Sequence, residues 1–466
     1  MQKKACVITF GCQQNEADSE KIRGMLQNIG YQIITADMTE DMTKQRGQFV
    51  EKSGLSECSL IIMNTCAVRE HAELKAFSRT GQLKHYKKNN KDLRIGISGC
   101  MVEQDHVIEY IKRSFPYVDF VFGTRELHKV PEILDRVVTT GKRVLERIPD
   151  LPDANEIPED LPVLRDSSFQ AKVSVMYGCD NFCSYCVVPY VRGRERSRGK
   201  DKIIAEVREL AESGYKDIML LGQNVNSYKD PADNDYKFVD LLTDLLKIKG
   251  DYLLRFLTSH PKDVPDELLT LMGENKKLAR HFHLPVQAGS DRILELMNRK
   301  YTRGYYLDLI TRLKSLDPDI AVTSDIIVGF PGETEQEFEQ TLELIKAVEF
   351  DNIFPFIYSK RKGTPAEAMD DNVTRKEKTD RFERLVKAQN DIVIAKNKAL
   401  EGKTVRVLVE SEYKNRGEGW LAGRTSQYKL VAFERSADAG AGLIGSFVNV
   451  RINEGKLHGL YGELIT

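Results

Sequence analysis

The chain has 466 residues, 41% hydrophobic and 30% charged, which allows two to three domains with their own cores and excludes a disordered chain. Sixty-nine lysines and arginines face 70 aspartates and glutamates, a net charge of −1, so a polyanion-binding surface over the whole chain is excluded and only a local basic groove remains open. The apolar run at 5–10 is too short for a signal peptide and no 18-residue apolar stretch occurs, so a cytoplasmic protein without membrane contact is expected, with reduced cysteines that read as metal ligands or catalytic thiols.

The first 150 residues repeat one arrangement three times. "ACVITFGC" ends in Cys12, "SLIIMNTC" in Cys66 and "RIGISGC" in Cys100, each a short apolar strand followed by a helical pattern. As parallel neighbours in a doubly wound α/β sheet, the three strands would present their cysteines on the one edge where such sheets bind ligands. Three thiolates match a [4Fe–4S] cluster that keeps one iron open. Cys6, inside a strand, and Cys58, in a loop, have no such placement and read as inert small hydrophobes.

Residues 149–168, "PDLPDANEIPEDLPVLRDSS", carry four prolines and no regular period, the pattern of a linker assigned to 151–168. Six short β-rich runs follow, at 173–176, 217–221, 253–258, 281–286, 320–328 and 353–358, separated by helical patterns such as 202–213 and 336–348. Six βα units are two short of a closed barrel, so an open partial barrel is expected over 169–398. Beyond the charged helical stretch 375–398, the runs "KTVRVLVESE", "GWLAGRTSQYKLVAF" and "SFVNVRI" read as a small all-β module over 399–466.

The first run of the central region leads into "GCDNFCSYC", which places Cys179, Cys183 and Cys186 within eight positions. A structural zinc site wants four ligands in paired C-x2-C units, and a c-type haem wants a histidine after the second cysteine; neither fits. A [4Fe–4S] cluster on three thiolates fits, with one iron left open. The other strand ends are polar too: Gly222-Gln223-Asn224, Ser259-His260-Pro261, Gln287-Ala288-Gly289-Ser290, Gly329-Phe330-Pro331-Gly332 and Ser359-Lys360-Arg361. Chemistry in parallel α/β barrels gathers at those ends.

Cys-x3-Cys-x2-Cys, with the aromatic Tyr185 before its last cysteine, resembles the radical S-adenosylmethionine superfamily. Together with "FGCQQNEADSE", "NTCAVRE", "GCDNFCSYCVVPYVRGRERSR", "LLGQNVNSY", "HLPVQAGSDRILELMNRKYTR" and "DIIVGFPGETEQEFEQT", it makes nearly the whole chain similar to the methylthiotransferase family, and most of all to its tRNA adenosine branch. Two departures stand out: "TEDMTKQRGQFVEKSGLSE" lengthens the interval between Cys12 and Cys66, and "YSKRKGTPA" adds lysines. Neither touches a cluster ligand.

The resemblance implies an auxiliary-cluster domain over 1–150, a radical S-adenosylmethionine core over 169–398 and a TRAM module over 399–466. It implies two [4Fe–4S] clusters, on Cys12, Cys66 and Cys100 and on Cys179, Cys183 and Cys186, and two S-adenosylmethionine molecules per turnover. One donates a methyl group to a sulfur on the first cluster; the other is cleaved at the second to a radical that opens carbon 2 of an N6-isopentenyl adenosine at position 37 of tRNA, next to the anticodon. Tyr185, Gln223, Ser259, Gln287 and Asp325 are the candidate cofactor contacts. Other partners implied are an electron donor protein and a sulfur or cluster donor.

For the RNA, "YVRGRERSR" offers Arg192, Arg194, Arg196 and Arg198 with Tyr190 for stacking, although alternate arginines read equally as a solvated face. The C-terminal module is near neutral, with nine basic against eight acidic residues from Glu401 onward, so a few placed side chains, Lys414, Arg416, Arg424 and Lys429, would carry any RNA contact there. The same chemistry on a threonylcarbamoyl adenosine in tRNA or on a ribosomal-protein aspartate stays open. So does a zinc-stabilised RNA-binding protein without catalysis.

Overall fold

A computed structural model of the chain describes residues 3–35, 44–45, 48–49, 54–68, 70–145, 157–417, 419–435 and 442–465. The added stretch between Cys12 and Cys66, and the linker as far as 156, fall largely outside these. The chain forms two units. One comprises 1–166 with 176–180 and 186–198, the other 167–175, 181–185 and 199–466.

In the first unit, five parallel strands stand in the order Gln32–Ile34, Lys4–Phe10, Leu60–Thr65, Arg94–Gly99 and Phe120–Phe122. Their side chains alternate between two apolar layers. Cys6, Ile8, Ile61, Met63, Ile95 and Ile97 pack on one face with the helices Glu70–Asn89 and Asp105–Ser114. Ala5, Val7, Leu60 and Ile62 pack on the other with Gln13–Asn28 and Val130–Thr140. Burial on both faces is why these strands read as continuous apolar runs. The chain leaves Lys4–Phe10 first to one side and then to the other, so the strand order reverses between it and Leu60–Thr65, the place where such sheets open a crevice.

The second unit holds the six expected parallel strands in two groups of three. Leu253–Phe256, Asp217–Leu221 and Gln170–Ser174 form one, and His281–His283, Ala321–Val328 and Asn352–Ile357 the other. The first strand runs over Gln170–Ser174 rather than the expected 173–176, and two others end early. The fourth stops at His283 because Pro285 has no N–H to give to a ladder, and Gln287 rejoins Ile326 by an isolated bridge at φ +74°. The third stops at Phe256, before Thr258 at φ +71°. A helix over Arg375–Lys398 leads to a closed five-stranded barrel, ordered Thr404–Glu412, Trp420–Thr425, Leu430–Glu434, Gly459–Ile465 and Phe447–Lys456. Its interior is Val407, Val409, Leu421, Val431, Phe433, Val450, Ile452 and Leu460. Among the described residues no helix is long and apolar enough to cross a membrane.

Candidate functional site

Phe10, Thr65 and Gly99 are in register at the carboxyl ends of three adjacent strands. Cys66 and Cys100 therefore follow side by side, and Cys12 lies one position further on, capping the helix Gln13–Asn28. Each sulfur has its own neighbour. Cys12 Sγ donates to Asn15 Oδ1 at 3.4 Å, Val68 N–H donates to Cys66 Sγ at 3.4 Å, and Arg192 Nε donates to Cys100 Sγ at 3.1 Å. Burial pushes the Cys100 thiol up to about 12; Arg192 pulls the other way, and the charges of Cys66, Cys12 and Asp18 add to the rise. A sulfur so buried gains its negative charge only with cations around it, which a cluster iron and the Arg192 guanidinium both provide. Three thiols on one edge, one already facing a guanidinium, fit a cluster. Among the described residues no three Cys, His, Asp or Glu side chains gather as the ligand set of a single ion.

The loop of Cys179, Cys183 and Cys186 is held at both ends. On its first-unit side, Cys179 N–H donates to the Gly193 carbonyl at 3.2 Å, and Gly178, at φ +74°, lies so close to Arg194 that a Cβ would stand 2.0 Å from its carbonyl oxygen. Val187, next to Cys186, packs with Val191 against Ala67 and Cys100. In the second unit, Ser184 N–H donates to Met297 O at 3.0 Å and its hydroxyl to Leu296 O at 2.7 Å. Asn298 Nδ2 donates to Phe182 O at 2.9 Å, and Arg299 Nη1 donates to Cys183 Sγ at 3.4 Å. Tyr185 is half-buried.

The strand ends of the second unit keep polar atoms in reserve. Gln223 Oε1, Asn226 Nδ2 and His260 Nε2 are buried and find no hydrogen-bond partner among the described residues. His260 Nδ1 accepts from Lys262 N–H at 3.3 Å, which leaves its proton on Nε2. Burial, with Arg299 and Lys262, pushes this imidazole down to about 2, so it is a neutral donor at any physiological pH. Ser259 Oγ donates to Asn226 Oδ1 at 2.9 Å, and Asn224 joins the two loops by accepting from His260 N–H and donating to Asp263. Gln287 is buried, its N–H on the Asp325 carbonyl at 2.9 Å, while the Asp325 carboxylate lies 3.8 Å from His283 Nε2. Unmet donors and an unmet acceptor fit a polar ligand such as S-adenosylmethionine. Phe182, Thr258 and Gln287 all carry positive φ, and strain of that kind in side-chain-bearing residues concentrates at functional sites.

The Radical SAM superfamily matches residues 173–345, Uncharacterized protein family UPF0004 matches 35–123, and the TRAM domain matches 398–465. The tRNA-2-methylthio-N(6)-dimethylallyladenosine synthase of Carboxydothermus hydrogenoformans is 45% identical to this chain, covering 100% of both. That of Clostridium perfringens strain SM101 is 48% identical, over 100% of this chain and 98% of its own, and that of Thermoanaerobacter sp. strain X514 is 47% identical, over 98% and 92%. The chain belongs to this family of synthases. Its fold is also that of the radical S-adenosylmethionine methyltransferase TsrM from Kitasatospora setae, solved with cobalamin and a [4Fe–4S] cluster (TM-score 0.56, 14% identity, 79% of this chain and 74% of that one). The cobalamin-dependent S-adenosylmethionine radical enzyme OxsB is similar too (TM-score 0.54, 11% identity, 84% and 56%).

Membership of the synthase family does not make every arginine of "YVRGRERSR" a phosphate contact. Arg192 is 4% exposed and bound to Cys100 and Asp18; Arg198 is buried against Glu159 at 2.8 Å. Both turn inward because each has a carboxylate to meet there. Arg194, paired loosely with Asp180, and Tyr190 remain exposed, with Arg196 half-buried. In the C-terminal barrel, Lys429 is spent on Asp351 at 2.9 Å, and Arg424 lies over Tyr428 and near Glu410. Lys414 is exposed, and Arg416 stacks over Trp420 and Tyr461 at 5.0 and 4.1 Å. The sequence reading missed those two aromatics, which the alternation of the strands would have placed on an outer face, and it missed Arg299; it placed His260 at a polar strand end without giving it a role.

Proposed function

We propose that this chain adds a methylthio group to carbon 2 of an N6-isopentenyl adenosine at position 37 of tRNA, holding one [4Fe–4S] cluster on Cys12, Cys66 and Cys100 and a second on Cys179, Cys183 and Cys186. The observation that carries the reading is the packing of Val187 and Val191 on Ala67 and Cys100. It lays the segment that starts at Cys186 against the strand ends that carry Cys66 and Cys100. Carbon 2 of adenine bears an unactivated hydrogen that no side-chain acid or base removes at neutral pH, and the bound clusters and S-adenosylmethionine supply the radical and the sulfur.

The chain's own residues bind and orient. Gln223, Asn226 and His260 offer the cofactor their unmet acceptor and donors, beside Ser259, Gln287 and Asp325. Arg416 with Trp420 and Tyr461 offers an unpaired base a cation and two rings. An electron donor protein and a sulfur or cluster donor complete the reaction, which proceeds in the cytoplasm where tRNA is found. Mass spectrometry of tRNA nucleosides from cells with and without the gene tests the proposal. Loss of the 2-methylthio nucleoside with accumulation of N6-isopentenyl adenosine is expected. Unchanged isopentenyl adenosine, with loss of a methylthio group from threonylcarbamoyl adenosine or from a ribosomal protein instead, would reassign the substrate.

A further inference from the structure

Two buried arginines touch the two cysteine sets, one each. Arg192 ends the short helix Val188–Arg192, which is fixed from both sides: Val187 and Val191 pack on Ala67 and Cys100, and the Val191 carbonyl accepts from Thr124 Oγ1 at 3.2 Å. That leaves the guanidinium one place to go. Nε reaches Cys100 Sγ at 3.1 Å and Nη2 reaches Asp18 Oδ2 at 3.0 Å, with Asp18 also held by Gln14 Nε2 at 3.2 Å. Arg299, in the other unit, is pinned by Tyr301 Oη at 2.8 Å and Pro285 O at 2.6 Å, and its Nη1 meets Cys183 Sγ at 3.4 Å. Burying a guanidinium is costly unless it is paired.

We propose that Arg192 and Arg299 are positioning residues that set the reduction potentials of the two clusters, each by a charged hydrogen bond to one ligand sulfur, with Asp18 as the counter-charge that offsets Arg192. The inference rests on the cluster assignment above. One-electron reduction of a cluster adds a negative charge and no proton, the electron coming from an external reductant. A fixed cation in a low-dielectric site stabilises the reduced form and raises the potential, and a nearby carboxylate lowers it. The two sites differ in that respect. Arg299 has only neutral acceptors besides the sulfur, whereas Arg192 is half neutralised by Asp18, so the chain can hold its two clusters at different potentials with the same residue type.

The test is a dithionite titration of the full-length chain after anaerobic reconstitution, followed by electron paramagnetic resonance. In a background of Cys179, Cys183 and Cys186 changed to Ala, Arg192→Gln is expected to lower the midpoint of the remaining cluster, Asp18→Asn to raise it, and Arg299→Gln to leave it. In the background of Cys12, Cys66 and Cys100 changed to Ala, Arg299→Gln lowers the midpoint and Arg192→Gln does not. Opposite signs for Arg192→Gln and Asp18→Asn are what a merely structural pair would not give. Unchanged midpoints at full iron content, or shifts of the same sign, overturn the proposal. If Arg192→Gln loses its iron, Arg192→Lys decides: iron regained supports a charge role, iron still lost overturns it. A wild-type chain that takes up no cluster would instead remove the cluster assignment itself.

Discussion

Gly99, the last residue of its strand, stands at φ +96°, and a Cβ there would lie 2.2 Å from the Thr65 carbonyl oxygen. Gly214 also has a positive φ, +86°, but open space around it. Gly214→Ala is therefore expected to cost about 1 kcal/mol, the left-handed penalty alone. Gly99→Ala must also displace a backbone carbonyl of the neighbouring strand, and Cys100 with it. It is expected to be clearly more destabilising in thermal melts and to lower iron uptake at the first cysteine set; equal melting temperatures for the two variants would refute the steric argument. At this scale the placement of Cys12, Cys66 and Cys100 at the ends of three adjacent strands was legible because its signal is local, an apolar run closed by a cysteine. Arg192 was not. Its partners Cys100 and Asp18 lie 92 and 174 residues away, so alternation with its neighbours suggested a solvent-facing run where tertiary pairing draws it inside.

Element boundaries depend on local exceptions that periodicity does not carry. Five of the six strands of the second unit stand on the expected apolar runs and the helix Arg375–Lys398 on its charged helical stretch, but the first strand shifts to Gln170–Ser174, and Pro285, Gln287 and Thr258 cut two others short. The closing strand of the terminal barrel, Gly459–Ile465, escaped notice because its two glycines break the alternation. What joins these elements is partly ionic. Asp351, just before the strand Asn352–Ile357, meets Lys396 of the long helix at 2.6 Å and Lys429 of the barrel at 2.9 Å. Burial acts to raise its carboxyl, but Lys429 and Lys396 outweigh that and hold it below the ordinary value. A depressed carboxylate contributes stability that is fully present above its unfolded value, about 4, and is lost as pH falls through the folded one. In denaturant titrations Asp351→Asn is thus expected to be less stable than the wild type at pH 7, and the gap to close as pH falls below about 4. A gap that stays constant over that range would show that the latch is not electrostatic.

At the scale of the whole chain, the two cysteine sets come from different elements and are proposed to do different work, which separates them experimentally. Cys12, Cys66 and Cys100 follow three strands of one sheet, while Cys179, Cys183 and Cys186 share one loop. If the loop cysteines hold the cluster that cleaves S-adenosylmethionine, cleavage needs only that cluster, its cofactor and an electron donor. A variant with Cys12, Cys66 and Cys100 changed to Ala should then retain about half of the iron, still form 5′-deoxyadenosine under reduction, and transfer no sulfur to tRNA. The reciprocal variant, at Cys179, Cys183 and Cys186, should also keep about half of the iron but lose both products. Cys6 and Cys58 make the control. Both are fully buried in the apolar layer on one face of the sheet, away from its carboxyl edge, so their replacement by Ala should cost some stability through the small cavities left and leave iron content and both products intact. Methylthiolated adenosine from the first variant, or its loss from a folded, iron-replete control, would overturn the division of the eight cysteines into two ligand sets and two core residues.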